Sequence, residues 1–196
     1  METNPRLELA FNFLEYTGTS IFLTGKAGTG KTTFLRELKQ RSPKRMIVVA
    51  PTGVAAINAG GVTIHSFFQL PFGPYVPGRT EENRSGEKQF SHKFGREKIN
   101  IIRSMDLLVI DEISMVRADL LDAVSDMLCR YRDRSKPFGG VQLLMIGERR
   151  GMGDIEAYLS VSFLFLQQSI ADGLISVYRI DSRISAVGFG IHPFTQ

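Results

Sequence analysis

Residues Gly25 to Thr32 read G-K-A-G-T-G-K-T, and an apolar run, Ile21-Phe22-Leu23, leads directly into them. The stretch fits the phosphate-binding loop pattern G-x-x-x-x-G-K-[ST], in which glycines let backbone N–H groups turn towards an anion. A helix predicted from about Thr32 to Lys39 directs the positive end of its dipole at the same place. The pattern therefore predicts a strand, a phosphate-binding loop and a helix, with a nucleoside triphosphate as the ligand.

The loop supplies the first group of candidate site residues. We expect Lys31 to reach the terminal phosphates and the Thr32 hydroxyl to ligate Mg²⁺. The predicted nucleotide-binding residues are Gly25, Lys26, Ala27, Gly28, Thr29, Gly30, Lys31, Thr32 and Thr33.

A second apolar run, Leu107-Leu108-Val109-Ile110, is typical of a buried parallel strand and ends in Asp111-Glu112. At the end of such a strand Asp111 can hold Mg²⁺, while Glu112 can orient or deprotonate the attacking water. The alternative interpretation is a solvated acidic pair at a strand end. The phosphate loop about 80 residues earlier favours catalysis, with Lys31, Asp111 and Glu112 as the catalytic residues.

Length and composition predict a globular chain of one domain, or one domain with an appendage. Its 196 residues are 43% hydrophobic and 22% charged, with a net charge of +4 that permits a polyanionic partner. No stretch reaches the roughly 18 to 20 uncharged apolar residues that span a bilayer, so no membrane partner is expected. The N-terminus lacks a secretory pattern, which predicts a cytoplasmic protein. Cys129 is the only cysteine, which excludes an internal disulfide.

Alternating strand and helix patterns predict an α/β fold with a parallel sheet flanked by helices. The predicted strands are Ile21–Leu23, Met46–Ala50, Val62–Ile64, Leu107–Ile110 and Val141–Ile146. The predicted helices cover about residues 7–15, 32–39, 96–103 and 118–131, with a short alanine-rich helix after Pro51-Thr52-Gly53. Residues 69–95 are rich in proline, glycine and polar residues, which predicts a long surface excursion.

Five strings together resemble one family. They are F-L-T-G-K-A-G-T-G-K-T-T at Phe22–Thr33, A-P-T-G-V-A-A at Ala50–Ala56, T-I-H-S-F-F at Thr63–Phe68, I-D-E-I-S-M at Ile110–Met115 and P-F-G-G-V-Q-L-L-M-I-G at Pro137–Gly147. They resemble the first motor domain of the Pif family of superfamily-one DNA helicases over about residues 5–147. The third and fifth strings are far more specific to that family than the phosphate loop.

The resemblance implies a RecA-like P-loop NTPase fold and ATP hydrolysis coupled to 5′-to-3′ movement on single-stranded DNA. It also implies ATP and Mg²⁺ as cofactors and contacts to the DNA strand from Pro51, Thr52, Gly53, His65 and Ser66. A superfamily-one helicase closes its ATP site with arginines from a second RecA-like domain, which 196 residues cannot hold. We therefore expect an incomplete N-terminal motor, and we favour a monomer.

Two features of the sequence bear on the DNA contacts independently of the resemblance. Residues 79–103 carry seven Lys or Arg and four Asp or Glu, with Phe90, His92 and Phe94 interleaved. Such a mixture suits a groove for single-stranded nucleic acid, and a solvated loop is the alternative. His65 beside two phenylalanines is compatible with a DNA contact or with a hydrogen-bonded, half-buried side chain.

Two features depart from the family. No glutamine precedes the phosphate loop to recognise adenine, since the first glutamine is Gln40. Gly147 should be followed by an aspartate and then a glutamine, whereas the chain continues Glu148-Arg149-Arg150-Gly151.

The last quarter of the chain differs in composition. No lysine follows Lys136. If the mRNA for the tail is translated from one base later, the codons for residues 175–188 can encode Y-R-x-I-E-L-T-H-V-Y-R-Q-S-D. That string resembles the start of the second motor domain in the family. We therefore predict a RecA-like domain over 1–147 and a tail over 148–196 of uncertain fold. Our hypothesis is that a deletion after Gly147 shifted the tail out of frame, and the alternative is a divergent subdomain.

Two functions other than a helicase remain compatible with these motifs. One is a non-catalytic module that binds nucleotide or single-stranded DNA, and the other is a stand-alone P-loop ATPase. DNA-stimulated ATPase activity distinguishes the helicase from both.

Overall fold

The computed structural model describes residues 5–75, 94–148, 164–167 and 175–181, the last two ranges by backbone alone. The helices are α1 Pro5–Tyr16, α2 Lys31–Arg41, α3 Gly53–Ala59, α4 Ile64–Phe68, α5 Arg96–Ser104 and α6 Ala118–Tyr131. The strands are β1 Ser20–Gly25, β2 Met46–Ala50, β3 Val62–Thr63, β4 Leu107–Ile110, β5 Gln142–Gly147, β6 Leu164–Gln167 and β7 Ile175–Asp181. Within these ranges, no helix is long and apolar enough to cross a membrane.

The strands form one sheet in the order β3-β2-β4-β5-β1-β7-β6. The first five are parallel, which confirms the predicted α/β fold. Strand β5 pairs with both β1 and β4, so it lies between the strand that enters the phosphate loop and the strand that ends in the acidic pair. Because all five run the same way, their carboxyl ends lie along one edge of the sheet.

Helices cover both faces of the parallel sheet, as its strand sequences require. On one face, Ile21, Leu23 and Val109 pack with side chains of α1 and α2. On the other, Phe22 and Leu108 pack with side chains of α4, α5 and α6. Successive strand residues thus enter opposite hydrophobic layers, which holds the carboxyl edge rigidly between two sets of helices.

Two predictions about single residues, Ile64 and Phe94, were wrong. Ile64 was expected in a strand but begins α4, because the Thr63 hydroxyl accepts a hydrogen bond from the Ser66 N–H at 3.2 Å and caps the helix. Phe94 was expected among base-stacking residues but is only 4% exposed and packs on Tyr131, with ring centroids 5.2 Å apart. Its apolar ring contributes to the core, so it cannot contact a nucleic acid.

The predicted surface excursion over residues 69–95 is only partly described. Leu70 and Phe94, at its two ends, are buried, and Phe72 between them is exposed. Residues 76–93, including Phe90 and His92, lie outside the described part of the chain, as does most of the apolar run 157–170.

The described strands of the tail continue the sheet with the opposite sense. β7 pairs antiparallel with β1 over its whole length, from Ser20 opposite Ile180 to Gly25 opposite Ile175. β6 pairs antiparallel with β7. The sheet as a whole is therefore mixed, although its five strands within residues 1–147 are parallel as predicted.

Candidate nucleotide and DNA site

The phosphate loop has the backbone shape that an anion site needs. Gly28 and Gly30 have φ values of 79° and 91°, in the left-handed region that favours glycine. Helix α2 begins at Lys31, and the Phe34 N–H donates to the Gly30 carbonyl at 2.8 Å. The N–H groups of residues 31–33 precede that bond and have no acceptor within the helix. They lie where a helix N-terminus binds phosphate.

Lys31 spans the loop that it terminates. Its Nζ donates to the carbonyl oxygens of Gly25 at 2.6 Å and Lys26 at 3.0 Å. The side chain is half-buried, whereas Thr32 and Thr33 are exposed in the first turn of α2. The ammonium group is thus held at the mouth of the loop by two neutral acceptors, which a phosphate oxygen can replace with a stronger, charged partner.

Asp111 and Glu112 follow β4 directly, and both are half-buried. The Asp111 N–H donates to the Val49 carbonyl at 2.9 Å, and the Glu112 N–H donates to Asp111 Oδ1 at 3.0 Å. Glu112 has φ 52° and ψ 44°, a left-handed conformation that a residue with a side chain seldom adopts. Such strain is concentrated at functional sites and turns the chain sharply after Asp111.

The electrostatics join these residues into one site. Burial raises the pKa of Asp111, while the Glu112 N–H and the charges of Lys31 and Lys39 oppose that rise. Burial also raises the pKa of Glu112, with a further rise from Asp111 and Glu148 and opposition from Lys31. The fold thus brings the phosphate-loop lysine within electrostatic range of two carboxylates about 80 residues away in the chain.

The carboxyl end of β5 lies between the two halves of this site. Thr24 pairs with Gly147, and Ile110 pairs with Met145. A Cβ at Gly147 would lie 2.8 Å from Ile113 Cγ2, so this close approach requires glycine. Glu148 follows, and its charge acts on Glu112.

The predicted DNA-contact residues leave the same edge of the sheet from β2 and β3. Ala50 pairs with Thr63, so the Pro51–Gly53 turn lies beside the start of α4. Thr52 and Gly53 are exposed, and the Thr52 hydroxyl accepts the Ala55 N–H at 3.2 Å to cap α3. Ser66 is exposed and His65 is half-buried. These five residues therefore follow neighbouring strands at one edge of the sheet.

The nucleotide and DNA candidates leave the same edge of the sheet from different strands. The phosphate loop follows β1, whereas the DNA candidates follow β2 and β3, three and four strand positions away. At about 4.8 Å per strand, the strand ends are roughly 14 to 19 Å apart. The acidic pair after β4 lies between the two groups.

Comparison with known proteins identifies the family. The model of the PIF1-like helicase family matches residues 9–155. The chain belongs to this family. It is 38% identical over 139 residues to the ATP-dependent DNA helicase PIF1 of Emericella nidulans, covering 67% of this chain and 17% of that protein. It is 40% identical over 152 residues to the mouse ATP-dependent DNA helicase PIF1, covering 74% of this chain and 22% of that protein.

Solved structures give the same result. The Bacteroides Pif1 helicase in complex with ADP-AlF3 and single-stranded DNA is 44% identical, with a TM-score of 0.67 over 76% of this chain and 32% of that one. A structure of two coordinating Pif1 helicases at forked double-stranded DNA is 45% identical with the same TM-score. This PIF1-like chain thus spans about a fifth of these curated relatives and about a third of these solved chains.

The structure also shows a link within this PIF1-like domain that the sequence analysis missed. Lys39, on α2, donates from Nζ to the carbonyl oxygens of Ala59 at 2.6 Å and Gly60 at 2.8 Å. It thereby joins the helix that follows the phosphate loop to the end of the helix that follows the Pro51–Gly53 turn. A lysine on a polar helix face carries no sequence signal for such a contact.

Proposed function

We propose that this chain supplies the ATP-binding motor domain of an ATP-dependent DNA helicase that moves 5′-to-3′ on single-stranded DNA. The observation that carries the proposal is the shared carboxyl edge of the sheet. The phosphate loop, the acidic pair and the predicted DNA-contact surface all leave it, from four of the five parallel strands.

The loop residues fit ATP. Backbone N–H groups at the start of α2 donate to phosphate oxygens, and Lys31 exchanges its carbonyl partners for the β- and γ-phosphates. The resemblance of the loop to a Walker A sequence covers all eight positions, Gly25 to Thr32. Nothing in the described residues marks a group that recognises the adenine base, so selectivity for the base stays outside the proposal.

The residues also fit Mg²⁺, which when bound would neutralise charge on the β- and γ-phosphate oxygens. Thr32 would hold it with its hydroxyl and Asp111 with its carboxylate. Among the described residues, no group of three or more His, Cys, Asp or Glu forms a complete metal cluster. One carboxylate is typical for Mg²⁺, which takes its other ligands from water and substrate phosphates.

Glu112 is the proposed general base. Its carboxylate orients the attacking water and accepts its proton as the water oxygen bonds to the γ-phosphorus and the bond from the γ-phosphorus to the β–γ bridging oxygen breaks, with ADP as the leaving group. Burial and the neighbouring Asp111 raise its pKa, which makes it a better proton acceptor than an exposed glutamate. Lys31 balances the negative charge that develops on the transferred phosphoryl group.

Single-stranded DNA is the proposed partner of the surface formed by Pro51, Thr52, Gly53, His65 and Ser66. Thr52 and Ser66 are exposed there, and their hydroxyl groups suit phosphate oxygens. The proposal predicts weak binding that decreases with salt, with log K changing by about −0.7 per phosphate contact for each unit of log salt.

Steady-state ATPase activity, measured with and without single-stranded DNA, tests the proposal. We expect stimulation by DNA, and Lys31→Ala should reduce turnover by about 10²- to 10³-fold because it removes the cation facing the transferred phosphate. Lys136→Ala, which removes an exposed lysine after α6, is the matched control. Nucleotide binding without turnover would favour a binding module, and turnover indifferent to DNA would favour a stand-alone ATPase.

The proposal includes a monomer in the cytoplasm, as the sequence predicts. Light scattering during DNA titration tests the monomer, and fractionation of cells tests the location. A stable dimer in the absence of DNA would contradict the first, and a membrane-bound or secreted pool the second.

We further propose that the helicase domain ends at Gly147 and that residues 148–196 are a tail read out of frame. Composition supports this, since no lysine follows Lys136. The family model continues to residue 155, and β7 pairs with β1, so the boundary needs a direct test. Limited proteolysis of the full chain with mass mapping should cut the tail first, and sequencing the gene through codon 147 should reveal a deletion. Equal protection of tail and core, or an intact frame, would contradict the proposal.

A further inference from the structure

Phe72 is the most exposed large hydrophobic side chain in the described residues, at 90% of its possible area. Its neighbours Phe67, Phe68 and Leu70 are buried in the core. A single exposed apolar residue is ordinary on a protein surface. Phe72 differs because of what lies behind its ring and how its backbone is held.

One face of the Phe72 ring is stacked on His65. The two ring centroids are 4.9 Å apart and the ring planes differ by 19°. Since 90% of the side chain remains exposed, the opposite face of the ring is turned to solvent. The pair thus presents a flat aromatic surface of about one ring, backed by an imidazole.

The segment that carries Phe72 is anchored on both sides. On one side Leu70 is buried, and its N–H donates to the His65 carbonyl at 3.1 Å. On the other side the Tyr75 N–H donates to Asp119 Oδ2 at 2.7 Å, and the Tyr75 hydroxyl donates to Asp126. These contacts restrain the backbone on both sides of Phe72 before any ligand arrives, which lowers the entropy cost of binding.

Phe72 also lies beside the predicted DNA-contact surface. Its stacking partner His65 is two residues after Thr63, which pairs with Ala50 immediately before the Pro51–Gly53 turn. The Phe72 ring thus contacts one of the residues predicted to bind the DNA strand. Proteins that bind single-stranded nucleic acid without sequence preference stack bases on exposed aromatic side chains in such settings.

We propose that Phe72, backed by His65, is a stacking platform for one nucleobase of single-stranded DNA. This inference rests on the proposed function and adds to it a residue outside the phosphate-contact surface. The platform contacts the base and not the backbone. Because every base has an aromatic face, it binds without sequence preference.

Fluorescence anisotropy with two labelled strands of equal length tests the platform in the full chain. One strand carries thymine bases and the other carries abasic sugar–phosphate units. Phe72→Ala should weaken binding to the thymine strand by about 5- to 150-fold, the range for one stacked base. It should leave binding to the abasic strand unchanged, and Phe72→Trp should keep wild-type affinity for both.

Tyr16→Ala provides the matched control. Tyr16 is 79% exposed at the end of α1, near the opposite edge of the sheet, so its loss should not affect either strand. If the wild type binds DNA and Phe72→Ala binds equally well, the platform is wrong and the proposed function stands. An equal loss on both strands would also overturn the platform, because bases would not be involved. If the wild type binds neither strand, the proposed DNA partner fails and the platform with it.

Discussion

The two edges of the parallel sheet use their polar side chains in different ways. At the amino edge, where the strands begin, Lys44 donates from Nζ to the carbonyls of Leu14 and Thr17 and, at 2.7 Å, to Gln142 Oε1. Gln142 Nε2 in turn donates to the Thr19 carbonyl at 2.8 Å. These hydrogen bonds join the end of α1, the segment before β1, the segment before β2 and the start of β5 to one another.

At the carboxyl edge, by contrast, the side chains are positioned to bind a ligand. Lys31 donates to carbonyl oxygens of its own loop, and Glu112 keeps a left-handed backbone. Burial raises the pKa of Asp111, which is a cost to folding that a bound cation would relieve. Phe72 exposes most of its ring.

The difference indicates that side chains at the amino edge mainly stabilise the fold, whereas side chains at the carboxyl edge mainly serve function. In open α/β sheets, ligands bind outside the carboxyl ends of the strands. Substitutions there should change activity while the fold survives. Substitutions at the amino edge should change stability while intrinsic ligand affinity survives.

The sharpest test at the carboxyl edge is Glu112→Gln. Loss of a general base typically lowers turnover by about 10²- to 10⁴-fold, and the amide keeps the shape of the side chain. We expect ATP affinity and the melting temperature to stay close to wild type. Steady-state ATPase assays and calorimetry measure these quantities. Glu97→Gln, in the exposed first turn of α5, is the control, and equal turnover of the two variants would show that Glu112 is not the base.

At the amino edge, Arg132→Ala should reduce stability most. The guanidinium donates to four backbone carbonyls, those of Ile102, Arg103, Met105 and Gly139, at 2.7 to 3.3 Å. Its removal leaves several partly buried acceptors without a partner, for a loss of about 3 kcal/mol in the free energy of unfolding. Urea denaturation measures the loss.

Arg130→Ala is the matched control, because Arg130 lies on the exposed side of α6 just before Arg132. It should change the free energy of unfolding by less than about 0.5 kcal/mol. ATP affinity, measured at a temperature where all variants are folded, should be the same for both. A similar stability for the two variants, or a selective loss of ATP binding in Arg132→Ala, would contradict the separation by edge.

The smallest expected effect concerns the pair of Arg45 and Asp106 at the amino edge. Arg45 Nε donates to Asp106 Oδ2 at 2.8 Å, and this hydrogen bond lowers the pKa of Asp106 from 3.8 to about 2. A depressed folded-state pKa stabilises the protein above the unfolded-state value, so the contribution is lost as pH falls from about 4 to about 2. Because both side chains are well exposed, it amounts to less than about 1 kcal/mol.

Thermal unfolding of wild type and Asp106→Asn across this pH range measures the contribution. The variant should be slightly less stable at neutral pH, and the difference should shrink as the pH falls below about 4 and vanish below about pH 2, where the folded wild-type carboxyl also becomes protonated. A difference that is constant with pH would show that the ion pair does not contribute.

The local patterns in the sequence predicted most of the elements that carry the candidate site. The glycines and Lys31 predicted a loop between β1 and α2, and an apolar run ending in Asp111 predicted β4. These succeed because each depends on neighbours in the chain. Ile64 and Phe94 failed because a capping Thr63 and a contact with Tyr131 outweighed their local patterns. The pairing of β7 with β1 had no sequence signal at all.

The sequence by itself determined which chemical groups the protein carries: a phosphate-binding loop, an acidic pair and the sequence strings of a helicase family. Only the tertiary structure decided how these parts meet. Strand β5 enters between β1 and β4 and brings Glu148 to the acidic pair, and the turn after α4 stacks Phe72 on His65. Motifs can be recognised from the sequence because they depend on the backbone conformation and side-chain chemistry of neighbouring residues. Strand order and ring stacking depend on packing among distant residues, which no local pattern encodes.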